Sequence, residues 1–173
     1  LAFIQKVNKI VGPGNKFVAE AKKQLSTNLV GTESMYCGAS EICVLADKYT
    51  DINQVATSIV SQAEHDPDSQ CILVTKDRSL IKEVNNRIQS ILKTIPRKKI
   101  AFNSLKRNGL IIKVKSDKQI TEVINEVSPE HLEINVRNFK KYVNKIINAG
   151  SICNGQYTPM SLSDYTAVSY THL

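Results

Sequence analysis

Residues 41–46 read Glu-Ile-Cys-Val-Leu-Ala and residues 71–75 read Cys-Ile-Leu-Val-Thr. Each run is short and apolar at consecutive positions, the pattern of a strand covered on both faces. Between them, Val55, Ile59, Val60 and Ala63 recur at helical spacing over Ile52 to Ala63. Strand, helix, strand is the unit from which parallel sheets are built, because parallel neighbours need a crossover connection.

The alternation continues on both sides of this unit. Phe17, Val18, Ala21 and Leu25 predict a helix over Lys16 to Leu25, and Leu80 to Leu92 predicts a long one ending before Pro96. A short helix over Ile100–Arg107 should stop at Asn108-Gly109, ahead of a strand at Leu110–Val114. Ile120, Val123, Ile124 and Val127 mark a helix closed by Pro129, followed by a strand over Leu132–Val136. Phe139–Ala149 is expected as a helix with Gly150 as its terminator, and Ser151–Cys153 as a last strand. The fold class is therefore α/β, with mostly parallel open sheets and flanking helices.

Composition narrows the class further. Across 173 residues, 42 % are hydrophobic and 23 % charged, which excludes a disordered tail. No apolar run approaches the ~20 residues that span a bilayer. The first residues, LAFIQKVNK, lack the apolar stretch of a signal peptide. The four cysteines, Cys37, Cys43, Cys71 and Cys153, form no CxxC pair, against a disulfide framework or zinc ribbon. A reducing compartment is expected. The chain starts at Leu1 and stops at Leu173, and so reads as a piece of a longer polypeptide. A formal charge of +7 raises the possibility of nucleic-acid binding, but there is no Trp, aromatics are 6 %, and no basic stripe is interleaved with stacking residues.

Three segments could carry chemistry, and each also has an ordinary structural reading. Ile10-Val11-Gly12-Pro13-Gly14-Asn15 leads from a short strand into a helix, where free N–H groups suit a phosphate, or where Asn15 is simply an N-cap. In Ser61-Gln62-Ala63-Glu64-His65-Asp66, Gln62 and His65 are three apart and share a helix face. They could hold zinc, or they could be a polar helix end. Pro129-Glu130-His131-Leu132-Glu133 sets a carboxylate beside an imidazole, expected at the carboxyl end of an α/β layer, where the two could divide acid and base duties or form a surface loop.

Taken in order, VGPGN (11–15), GASE (38–41), SQAEHDPDSQ (61–70), SPEHLE (128–133) and SDY (163–165) resemble histidinol dehydrogenase, from about Lys9 to Asp164. That resemblance implies parts of two Rossmann-like lobes. Residues 1–45 would belong to one, on the nucleotide side. Residues 46–165 would belong to the second, carrying the metal and acid–base residues, with 166–173 an aberrant tail. It implies zinc held by Gln62, His65 and Asp164, NAD near Asn15, and Glu130 and His131 as acid–base groups. Ser40, Gln62, His65, His131 and Asp164 would contact the substrate, L-histidinol. The implied reaction oxidises the alcohol to the aldehyde and then to L-histidine, using two NAD+.

The family's homodimer, its cytoplasmic location (plastid in a plant) and a further zinc ligand from a partner's C-terminal domain follow from the same resemblance. Ala39 stands where the family carries proline and Ser163 where it carries glycine. His172 is one place off the family's histidine and is given no role. A non-catalytic relative is the other reading. The retained Gln62, His65, Glu130, His131 and Asp164 argue against it.

Overall fold

The computed structural model describes residues 7–12, 16–26, 30–32 and 40–162. Asn15, Asp164 and the 166–173 tail lie outside them. The chain divides into two compact units, one holding the described residues up to Thr32 and the other those from Ser40. In the first, β1 (Lys9–Ile10) pairs in parallel with β2 (Gly31–Thr32) across helix α1 (Lys16–Leu25). Gly12 follows β1 with φ of 115°, a conformation that favours glycine.

The second unit is a five-stranded, wholly parallel sheet in the order β5-β4-β3-β6-β7. Its strands are β3 (Glu41–Ala46), β4 (Gln70–Thr75), β5 (Gly109–Lys113), β6 (His131–Asn135) and β7 (Ser151–Asn154). Helices α2 (Ile52–Ala63), α3 (Arg78–Leu92), α4 (Lys98–Asn108), α5 (Asp117–Val127) and the single turn α6 (Lys140–Val143) fill the connections. The order reverses between β3 and β6, the doubly wound arrangement. Because β3 stands at the centre of this sheet, the lobe boundary expected after residue 45 falls before the strand instead.

Consecutive apolar residues make β3 the strand that both layers need. Ile42, Val44 and Ala46 pack with α2, α3 and α4 on one face, and Cys43 and Leu45 with α5 and the α6 segment on the other. Caps fix the helix starts. Asp51 accepts from Asn53 N–H at 2.7 Å, Asp77 from Ser79 N–H at 2.9 Å, and Ser116 from Gln119 N–H at 3.2 Å.

One predicted helix is largely absent. Phe139–Ala149 shortens to the four residues of α6. The cause is a side chain from another element: Asn125 Oδ1 accepts from Ile147 N–H at 2.9 Å and Asn148 N–H at 3.3 Å, while its amide donates to the Lys145 carbonyl at 3.0 Å. These backbone groups are satisfied without a helix, so apolar spacing alone does not extend it. Gly150 has a different task from the helix terminator expected of it. A Cβ there would lie 2.7 Å from the Glu130 carbonyl oxygen, so glycine permits the chain to press against the start of β6. Helix α5 ends at Ser128, which adopts the left-handed φ of 49° just before Pro129.

Candidate active site

Parallel strands begin at a common edge, and the chemistry-bearing segments sit at strand beginnings. Ser40 precedes β3, His65 lies in the turn before β4, and Glu130 and His131 open β6. The pair Glu130–His131 therefore stands at the amino edge of the sheet, not at the carboxyl edge expected from doubly wound precedent. His131 and Cys71 both pair with Ile42, so β6 and β4 flank β3 and are roughly 10 Å apart.

Around His131 the contacts are direct. Its Nδ1 lies 2.9 Å from Ser151 Oγ on β7, and its Nε2 lies 3.7 Å from Glu130 Oε1. Ser151 Oγ also reaches the Glu130 carbonyl at 3.4 Å. Ser151 can accept from Nδ1–H while its own proton goes to that carbonyl, and Nε2 lies on the Glu130 side in either tautomer. The other Glu130 oxygen accepts from Glu41 N–H at 3.3 Å, tying the acid to the start of β3. Two backbone bonds, Gly150 N–H to the Pro129 carbonyl at 3.0 Å and Ser151 N–H to the Glu130 carbonyl at 2.8 Å, clamp the segment. The His131 side chain is 16 % exposed and Glu130 52 %, so the ring is held while the carboxylate reaches solvent.

Gln62 and His65 occupy the same edge at the end of α2. Helix α2 stops at Ala63, so His65 stands beyond the cap, held over the last turn by its N–H to the Gln62 carbonyl at 3.2 Å. Gln62 is 1 % exposed, and its Nε2 has no hydrogen-bond partner among the described residues. Gln54, Asn135 and Asn154 also bury an amide oxygen unpartnered among these residues, whereas Gln62 has an unpartnered nitrogen, and a carboxamide turned over presents its oxygen instead. A side chain of this kind fits a metal-ligand role. Among the described residues no three His, Cys, Asp or Glu side chains gather as a metal shell. The expected set draws on only one such described residue, His65, with Gln62 and with Asp164 beyond the described part. Ser40 anchors the edge through its carbonyl, which accepts from Gln70 N–H at 3.1 Å.

Two residues escaped the sequence reading. Ser151 was read only as the start of a strand. Glu133 is 1 % exposed, and its carboxylate accepts from Met160 N–H at 2.7 Å and from Asn135 Nδ2 at 3.1 Å. Its signal was alternation: Leu132 and Ile134 point into one core layer, so His131, Glu133 and Asn135 share the other face. Beside that face, α2, β6 and residues 156–161 enclose a cavity of about 450 Å³.

Comparison with known proteins supplies the context. The family model described as histidinol dehydrogenase matches residues 1–173. A histidinol dehydrogenase of Pelagibacter ubique is 49 % identical over 166 residues, covering 96 % of this chain and 39 % of the relative. One from Listeria monocytogenes is 43 % identical over 164 residues, covering 95 % of this chain and 38 % of that relative. The chain thus spans well under half the length of these proteins. The crystal structure of histidinol dehydrogenase from Elizabethkingia anophelis superposes with a TM-score of 0.87 at 35 % identity, covering 93 % of this chain and 37 % of that one. Among the described residues no helix is long and apolar enough to cross a membrane.

Proposed function

The chain belongs to the histidinol dehydrogenase family, and from that premise we propose that it is the central segment of a zinc- and NAD-dependent enzyme oxidising L-histidinol to L-histidine. The observation that carries this reading is the His131 ring, held between Ser151 and Glu130 at the amino edge of β6. Gln62, with an amide end unused, stands at the same edge. Gln62, His65 and Asp164 would hold the metal, with Asn15 on the nucleotide side. When bound, zinc orients the substrate's nitrogen atoms and NAD accepts hydride from the carbinol carbon.

His131 Nε2 takes the hydroxyl proton as the alcohol becomes aldehyde. Water then adds to the aldehyde, and Glu130, open to solvent and 3.7 Å from the ring, takes the proton that water loses. As water adds, His131 returns its proton to the former carbonyl oxygen, and the neutral ring then takes a hydroxyl proton again as the hydrated aldehyde is oxidised to the acid. Ser40 and His131 line the substrate's approach. The same reading makes the protein a cytoplasmic homodimer, and makes the 173-residue segment by itself close to inactive.

The test is NADH formation by the metal-loaded full-length protein with L-histidinol. The expected result is two NADH per substrate, with histidine as product. Absence of turnover in that protein would overturn the reading.

A further inference from the structure

Glu133 is a carboxylate in the interior with no cation in contact with it among the described residues. Burying such a group is costly unless its oxygens are engaged. Both are: Oε1 takes the Met160 N–H and Oε2 the Asn135 amide. The first of these bonds leaves the sheet. It reaches a segment that turns back over β6, pinned at its start by Gly155 N–H on the Ile134 carbonyl at 3.0 Å. The segment tightens through Thr158 N–H to the Gly155 carbonyl at 3.1 Å and Leu162 N–H to the Pro159 carbonyl at 3.0 Å. Gly155, at φ of 88°, makes the turn possible. Residues 155–162 are therefore fastened to β6 at two points, one backbone and one the Glu133 side chain.

Glu133 lies two residues from His131 on one strand, and side chains at that spacing share a face. The segment it holds continues in sequence to Asp164. We propose that Glu133 is a positioning residue, the strut that sets the segment leading to Asp164 against the strand carrying His131. This inference rests on the reading of Asp164 as a metal ligand. One strand then serves as a ruler for two parts of the chemistry, the proton acceptor through His131 and the metal shell through Glu133 and Met160. The position calls for an acceptor oxygen with reach to a backbone N–H across the interior, which a side chain of glutamate length supplies.

The experiment measures zinc affinity of the full-length protein by chelator competition, for the parent, Glu133→Leu, Glu133→Gln and Glu133→Asp. Leucine keeps the volume and removes the acceptor. Glutamine keeps an acceptor for Met160 N–H, and aspartate keeps the charge but shortens the reach. The expected losses are about 10–100-fold for leucine, in the range seen when outer partners of a metal site are removed, with a smaller loss for aspartate and near-parental affinity for glutamine. Amide exchange over 155–162 should rise in the same order, and KM for histidinol should rise more than kcat falls.

If Glu133→Leu does not fold, Glu133→Asp decides by the same two measurements. Parental zinc affinity and exchange in a folded leucine or aspartate variant would overturn the proposal while the enzyme's identity stands. A parent protein that neither binds zinc nor oxidises histidinol would instead overturn the functional reading, and this proposal with it.

Discussion

The two edges of the five-stranded sheet differ in how their ionisable groups are held. At the carboxyl edge, Asp117 binds Lys141 at 2.8 Å, Lys76 at 2.5 Å and Tyr142 Oη at 2.8 Å. These bonds, that to Lys141 foremost, hold its carboxyl well below the usual carboxylate range. Asp47 accepts from Tyr49 and Arg137 N–H groups, and Thr50 Oγ1 donates to the Asn135 carbonyl at 2.5 Å. Ligands of doubly wound sheets usually sit at this edge, and a cavity of about 510 Å³ opens there. Yet its charges largely answer one another. At the amino edge, Gln62 keeps an unused amide end and His131 a nitrogen facing only a distant carboxylate. Among the described residues, orphaned amide atoms occur at both edges, at Gln54, Asn135 and Asn154 as well as Gln62, so it is charge that separates them: closed ion pairs at one, an imidazole beside a half-exposed carboxylate at the other.

The sharpest way to break this contrast is kinetic. In the full-length protein, His131→Gln should lower kcat by about 10²–10⁴-fold, the usual contribution of a positioned acid–base group. Arg137→Ala at the opposite edge should leave kcat unchanged. Equal losses, read from initial rates of NADH formation, would erase the distinction between the edges.

Next in size is Gln62→Leu. Zinc affinity by chelator competition should fall by about 10–100-fold or more, since even outer partners of a metal cost that much. Thermal stability in excess chelator should hold or increase, because leucine leaves no buried amide unpaired. A destabilised apoprotein with unaltered zinc binding would make Gln62 a structural residue.

At the carboxyl edge the expected effect is on stability alone. Asp117→Asn should cost about 1 kcal/mol in urea denaturation at neutral pH, a modest figure because the carboxylate is 45 % exposed and screened by solvent. The native carboxyl ionises at lower pH than the unfolded one, so its contribution is complete above the unfolded value near ~4. It fades as pH falls from there towards the lower native value. The gap between parent and variant should therefore close in acid. A gap that persists below that range would mean the network acts through shape, not charge.

Between the edges, the smallest response is expected from two thiols. Burial pushes Cys43 up to about 12, and Cys71 likewise up to about 12, with the Ser104 hydrogen bond opposing it slightly. Neither should react with iodoacetamide at pH 8 in the native protein, as mass spectrometry would show. Modification of either would mean the sheet opens more readily than its packing implies.

Legibility in the sequence followed the range of the interactions. The bounds of β3 and α2 could be read directly, since consecutive apolar residues and helical spacing are local signals. The end of the Phe139–Ala149 helix could not, because Asn125 acts on it from a different helix. Motifs brought Gln62, His65, Glu130 and His131 into view. The carboxyl edge expected for Glu130 and His131 rests on the ligand habit of doubly wound sheets, whereas these two residues stand where β6 begins. Glu133 lay within a quoted motif, yet a charged residue in a strand suggests solvent until the covering segment is seen.

The register His131↔Ile42↔Cys71 has a consequence for how this stretch of chain can vary in length. Adding or removing one residue inside β6 would change the parity of everything after it. Leucine and isoleucine would then stand where imidazole and carboxylate belong, and the ionisable pair would be driven into the apolar layer behind. Variation by indels is thus closed to the strand and left to the turns between elements, where an added residue shifts no side chain across the sheet.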